Sequence, residues 1–281
     1  MKITSYKKIR KIILTVLISG FIIYMISGGL IYFNQEKLIF HTNVLAANHN
    51  FDFRENFEEI NIPTADGNTL NTLLFKCNNP KGVVFYLHGN AGNLQGWGVN
   101  ARKFLEHDHD VFMLDYRGFG KSTGSIESEE QFLKDVQLVY DTLRSRYEEN
   151  KITVLGYSIG TAPAAKISAD NHPKRLILNA PYYSLNDLIA HNPNFGFTSI
   201  FPISLLLKYE LPNYRFLADC KVPITIFHGK DDKLIYYGSS QKLSEFFKPG
   251  DTLIGLEHTD HNNITQNPIY QRMLFAILQS D

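Results

Sequence analysis

The sequence predicts an α/β fold, a mostly parallel sheet wrapped on both faces by helices, preceded by one membrane-spanning helix. Three observations predict it. From about residue 54 onward, short apolar runs alternate with longer amphipathic stretches. A Gly-x-Ser-x-Gly pentad lies where one such run meets the next stretch. An uncharged apolar tract occupies residues 12–33.

Composition sets the frame. Of 281 residues, 44% are hydrophobic and 20% charged, enough for a sizeable core. Lys plus Arg (28) equals Asp plus Glu (28), so the basic excess of a nucleic-acid-binding protein is missing.

Residues 12–33, rich in Ile, Leu, Val, Phe, Tyr and Met, span roughly 30 Å as a helix, the hydrocarbon thickness of a bilayer. Lys2, Lys7, Lys8, Arg10 and Lys11 precede the tract and only Lys37 closely follows it. The positive-inside rule then puts the basic segment 1–11 in the cytoplasm and the remaining chain across the membrane. A cleaved signal has a shorter apolar region and a small-residue cleavage site, which Ser27-Gly28-Gly29 imitates only weakly. The expectation is an uncleaved signal-anchor helix.

Residues 34–53 read as a polar linker with an apolar patch at Leu38-Ile39-Phe40, and residues 54–281 as the catalytic domain. Runs 57–62 and 70–75 flank Ala65-Asp66-Gly67-Asn68, whose Asp-Gly pair favours a tight hairpin turn. Runs 83–87, 111–114, 152–155, 176–178, 224–227 and 253–256 are continuously apolar, as strands buried on both faces are, and bring the sheet to eight. Residues 131–147 place Phe132, Val136, Val139, Tyr140 and Leu143 on one helical face. Residues 161–168 are small and suit close packing on a sheet; 237–247 and 269–278 complete the helices.

Residues 181–222 interrupt this rhythm with Pro, Phe and Leu, and 195–209 are strongly apolar. They read as a lid or pocket wall, about 183–215, or as a pair of ordinary packing helices. Cys77 and Cys220 fit no metal-ligand spacing and read as buried free thiols.

Gly156-Tyr157-Ser158-Ile159-Gly160 sits between the strand at 152–155 and the helix at 161–168. A strand-to-helix turn this sharp leaves no room for side chains two residues either side of the serine, and holds the hydroxyl exposed. Ser158 is therefore the candidate nucleophile. A serine hydroxyl needs a base, and the base an orienting acid, here in the order Ser, acid, His. The strand at 224–227 ends in His228-Gly229-Lys230-Asp231-Asp232, and the one at 253–256 leads to Glu257-His258-Thr259-Asp260-His261. Each partner thus has a competitor: Asp231 against Asp232, His258 against His261. The strand at 83–87 runs into His88-Gly89-Asn90-Ala91-Gly92-Asn93, where the Asn90 N–H would pair with that of Ile159 to hold an oxyanion. His88 lies upstream of the serine and reads as a structural histidine bonding the loop.

His88-Gly-Asn-Ala-Gly-Asn93, Asp115-Tyr-Arg-Gly-Phe-Gly-Lys-Ser122, the Ser158 pentad and His228-Gly-Lys-Asp-Asp232 together resemble the α/β-hydrolase superfamily. Specifically they are similar to its membrane-anchored bud-emergence-homologue branch, also labelled serine aminopeptidase-like. The resemblance runs from Gln35-Glu-Lys-Leu-Ile-Phe40 to about Leu278, departing at His41-Thr42, where relatives often carry a proline. It implies Asp232 as the acid, four residues after the histidine of the His-Gly pair. It implies His261 as the base, opening His261-Asn262-Asn263. It also implies structural roles for Asp115 and Arg117, the latter bonding loop backbone.

The expected activity is serine hydrolysis of an ester or other acyl bond through an acyl-enzyme. The substrate would be a small-molecule ester, a lipid or a peptide, and no metal or organic cofactor is implied. A peptidase or amidase, and a non-catalytic membrane-tethered binding protein, are the alternatives.

Overall fold

The structure, a computed structural model, describes residues 2–192, 196 and 200–280. Among the described residues ten strands form: β1 (His41–Thr42), β2 (Phe57–Pro63), β3 (Thr69–Phe75), β4 (Gly82–Leu87), β5 (Ala91–Gly92), β6 (His109–Leu114), β7 (Ile152–Tyr157), β8 (Arg175–Asn179), β9 (Ile224–Gly229) and β10 (Thr252–Leu256). Eight of them make one sheet in the order β10-β9-β8-β7-β4-β6-β3-β2. The β2–β3 and β3–β6 pairs are antiparallel and every other pair is parallel. This is the eight-stranded, mostly parallel sheet the sequence predicts.

The central strands show why their sequences lack alternation. Every residue of β4, β6, β7 and β8 is buried. Within β4, Val83, Phe85 and Leu87 join one core cluster while Val84 and Tyr86 join the other, on the opposite face. Each such side chain contributes about 1.5–3 kcal/mol by leaving water, so both faces need helical cover. In the hairpin, the Gly67 N–H bonds Thr64 O at 3.1 Å, and Gly67 takes φ +83, which only glycine adopts freely.

The helices are α1 (Lys2–Ile39), α2 (Leu94–Trp97), α3 (Arg102–Leu105), α4 (Glu129–Arg144), α5 (Thr161–Asp170), α6 (Leu185–His191), α7 (Ile203–Leu206), α8 (Asn213–Asp219), α9 (Gly238–Leu243) and α10 (Pro268–Gln279). The Ser128 side chain caps α4 by accepting from the Gln131 N–H, and the five apolar residues named above are all buried. Asn267 caps α10, with Pro268 at its first turn.

The linker expectation is corrected. Residues 34–39 continue α1, a helix of 38 residues, and the chain beyond it lies on the domain. The Leu38-Ile39-Phe40 patch explains this: Phe40 is buried, its ring centroid 5.6 Å from that of Phe132 and 5.5 Å from that of Tyr209. His41 and Thr42 pair in parallel with Ala91 and Gly92, and Phe51 is buried with Phe53 packed nearby. A second correction concerns the thiols. Both are free, but only Cys220 is buried; Cys77 is half-buried. Burial pushes each thiol up to about 11.

The insertion 181–222 divides its contacts. At one end, Asp187 on α6 accepts from the Tyr236 hydroxyl and pairs with Lys242 at 2.6 Å. At the other, Asn213 starts α8 and donates to Thr161 Oγ1 of α5 and to Tyr182 O. Between them α7 packs against α1. Of the apolar stretch expected at 195–209, residues 195 and 197–199 lie outside the described residues.

Candidate active site

Ser158 follows β7 directly and opens a short 3-10 turn leading into α5. Its φ is +54, a strained conformation for a residue with a side chain. The flanking glycines are forced by space. A Cβ on Gly156 would lie 2.5 Å from Gly160 O and 2.7 Å from Ala164 Cβ. One on Gly160 would lie 2.3 Å from Leu87 O and 2.6 Å from His88 O. The pentad therefore locks β7, α5 and the end of β4 together, with the serine at the crest.

His261 reaches Ser158 from the loop after β10. Its Nε2 is 3.1 Å from Ser158 Oγ, and its Nδ1 is 2.7 Å from Asp232 Oδ2. The loop is self-bonded: Asp260 Oδ1 accepts from the N–H groups of Asn262 and Asn263, and Asn263 Oδ1 accepts from the Asp260 N–H. The Tyr157 hydroxyl donates to His261 O. Burial pushes that phenol well above its ordinary range, so it stays a donor.

Asp232 is buried after β9, and its two oxygens divide the work. Oδ2 faces His261, while Oδ1 accepts from the N–H groups of Leu234 and Ile235, both at 2.8 Å. His228 Nε2 lies 3.3 Å from Oδ2 and 2.8 Å from Ile235 O, and Ser240 Oγ is 2.6 Å from its Nδ1. Burial alone would raise the Asp232 carboxyl, but hydrogen bonds from His228 and His261 hold it well below the usual carboxylate range.

The competitors point elsewhere. The Asp231 side chain is 62% exposed and that of His258 97%, and they sit 4.0 Å from each other. His88 is fully buried, with Nδ1 bonded to Gly89 O at 2.7 Å and Nε2 3.4 Å from Asp115 Oδ1. Asp115 also accepts from the Leu94 N–H, which fixes the start of α2. Arg117 clamps two side-chain carboxylates instead of loop backbone, that of Asp135 on α4 and that of Asp66 in the β2–β3 turn.

Asn90 lies on the loop after β4 and Ile159 follows Ser158 in the 3-10 turn. The N–H of Ile159 thus stands in the first turn of a helical segment, where backbone donors lack helical acceptors. The Asn90 side chain is held from outside the loop, its Oδ1 accepting from the His41 N–H at 3.3 Å. Asn93 binds the same segment, donating to Asn43 O at 3.2 Å. Sequence reasoning missed His228 and this brace by residues 41–43. The only signal for His228 was its place in the His-Gly pair, and two-residue strands leave no periodic pattern.

Comparison with known proteins agrees with the fold. Residues 78–216 match the serine aminopeptidase S33 family, a stretch that contains Ser158 and ends before Asp232. The uncharacterized protein YfhR of Escherichia coli K12 is 24% identical over 295 aligned residues, covering 100% of this chain and 98% of YfhR. The lysophosphatidylserine lipase ABHD12 of Xenopus tropicalis is 29% identical over 188 residues. That alignment covers 61% of this chain and 48% of the lipase, so the chain spans about half of that relative. Among solved structures, the Pyrococcus furiosus esterase Pf2001 superposes with a TM-score of 0.69 at 17% identity, over 86% of this chain and 97% of the esterase. With its sheet order and these esterase- and lipase-like relatives, the chain has the α/β-hydrolase fold and is similar to members of that superfamily.

Proposed function

We propose that this protein is a membrane-anchored serine hydrolase that cleaves an acyl ester by way of an acyl-enzyme on Ser158. The single observation that carries the reading is the hydrogen-bonded line from Asp232 Oδ2 through His261 to Ser158 Oγ, ending on a serine at φ +54. His261 Nε2 takes the hydroxyl proton as Oγ attacks the acyl carbon. Asp232 accepts from His261 Nδ1, so the tautomer with Nε2 free is favoured and the cation is stabilised once formed. The N–H groups of Asn90 and Ile159 receive the tetrahedral oxyanion, each such donor being worth on the order of 3 kcal/mol. His261 then returns its proton to the leaving alcohol. Water attacks the acyl-enzyme with His261 as base, releasing the carboxylic acid and restoring Ser158.

In this reading the described parts of the insertion, 181–192 and 200–222, wall the acyl side of the site, and α1 crosses the membrane with residues 1–11 in the cytoplasm and the hydrolase domain on the far side. The apolar, exposed surface of residues 12–18 on α1 and its single uncharged tract support the anchor. Protease treatment of intact cells should remove the domain; its protection would contradict this orientation.

The lipase relatives make a lysophospholipid the first substrate to offer, and the family's description makes an aminoacyl amide the comparison. Full-length protein in vesicles is expected to release fatty acid from the lysophospholipid and to leave the amide intact. Amide cleavage with no ester cleavage would replace this reading with a peptidase.

A further inference from the structure

Residues 201–208 lie along α1. Near the end of α1, Gln35 is buried and clamps two backbone groups: its Nε2 donates to Leu206 O at 3.1 Å and its Oε1 accepts from the Lys208 N–H at 2.8 Å. Lys208 Nζ pairs with Glu36 at 3.0 Å and sits 4.9 Å above the Tyr32 ring. Seven residues earlier, the Phe201 ring stacks on Tyr24 at 4.8 Å, and a Cβ on Gly28 would lie 3.4 Å from Phe201. The segment thus runs parallel to α1, from the depth of Tyr24 at Phe201 to the depth of Gln35 at Lys208.

Depth in the bilayer follows from helix rise. Gly28 and Tyr24 lie about 8 and 14 Å inside Phe33, the end of the uncharged tract. That tract is about 33 Å long against a hydrocarbon layer of about 30 Å, so α1 has only a few ångströms of freedom to slide. Residues 200–207 contain no charged side chain, and Ile200 and Leu205 are 67% and 79% exposed with no protein cover. The Glu36–Lys208 pair sits just beyond Phe33 and Tyr32 at the tract's end, where charged and aromatic anchors meet the headgroups.

We propose that residues 200–207 are immersed in the leaflet through which α1 leaves the membrane, so that the domain is seated in the bilayer and not suspended above it. The inference rests on reading α1 as a membrane span. It also bears on substrate supply. His41 comes two residues after α1 and bonds Asn90, so the oxyanion loop stands within about 20 Å of Phe33 along the chain. An acyl chain lying in that leaflet is therefore within reach of the site without crossing bulk water.

The test is hydrophobic photolabelling of the unmodified full-length protein in phosphatidylethanolamine–phosphatidylglycerol vesicles with a lipid-soluble aryl diazirine. Peptides are then quantified by mass spectrometry. Labelling of 200–207 is expected within about threefold of that of 12–33, and at least tenfold above that of α4. Strong labelling of 12–33 with 200–207 at the level of α4 would overturn the immersion while leaving the anchor in place. Labelling of neither would overturn both.

Discussion

The His41 N–H donates to Asn90 Oδ1 at 3.3 Å, joining the chain that has just left α1 to the loop proposed to hold the oxyanion. The β1–β5 pairing continues the joint through Thr42 and Gly92. Helix α1 and the loop after β4 are therefore joined by the short stretch between them, which braces that loop.

That brace predicts a kinetic effect without loss of the Asn90 backbone N–H. Asn90→Ala is expected to lower kcat about fivefold, the equivalent of one net hydrogen bond, with KM changed less than twofold. His41→Pro removes the same bond from the other side. In the double variant the two effects should fail to add, because either substitution alone already breaks the contact. Simple additivity would show that the loop is positioned by other means.

Asp232→Asn and His261→Ala are each expected to reduce kcat by three to four orders of magnitude, in line with loss of a triad member. Asp231→Asn and His258→Ala, whose side chains face solvent, should stay within about twofold of the wild type. The comparison is made on one soluble ester with proteins of matched folding. If the pattern is reversed at either pair, that partner is assigned to the wrong residue.

Asp232 also predicts how stability depends on pH. Its carboxyl is held below its unfolded value of about 3.9 by His228 and His261, despite burial that would raise it. A depressed carboxyl stabilises the fold fully above the unfolded value, and that contribution is lost as pH falls through the folded one. The urea stability of the wild type minus that of Asp232→Asn should be flat from about pH 8 to 5 and shrink below about pH 4. His228→Phe, which removes one of the groups holding the carboxylate, should make this loss smaller and complete it at a higher pH, its onset still set by the unfolded value.

Arg117 is buried and makes a two-point contact with Asp135, itself mostly buried. Arg117→Met leaves that carboxylate unpaired and is expected to lower urea stability by on the order of 3 kcal/mol. Lys cannot copy the planar fork, so Arg117→Lys should recover only part of it. Ester hydrolysis by the folded fraction should be unchanged, since Arg117 does not touch Ser158, His261 or Asp232.

Much of this architecture was legible because it rests on patterns that leave a trace in sequence. β4, β6, β7 and β8 are buried on both faces and so read as unbroken apolar runs. Gly156 and Gly160 mark the serine because any Cβ there would collide with backbone. The order of the His-bearing and Asp-bearing loops follows from their strands. Other features leave no such trace. Strand β1 has two residues, too few for a period, and its partner β5 lies in a loop already given over to glycine and asparagine. The C-terminal end of α1 is not legible, because Asn34, Gln35, Glu36 and Lys37 look like a linker until Gln35 and Glu36 find Leu206 and Lys208. Arg117 and His228 find partners that are distant or tertiary, which spacing along the chain cannot show.

The central claim is that Ser158 is an activated nucleophile. The most direct measurement treats the full-length protein in membranes, and its Ser158→Ala variant, with a fluorophosphonate probe and locates the adduct by mass spectrometry. One stoichiometric adduct, on Ser158, is expected in the wild type and none in the variant. An unlabelled but folded wild type, or an adduct on another residue that persists in Ser158→Ala, would contradict it.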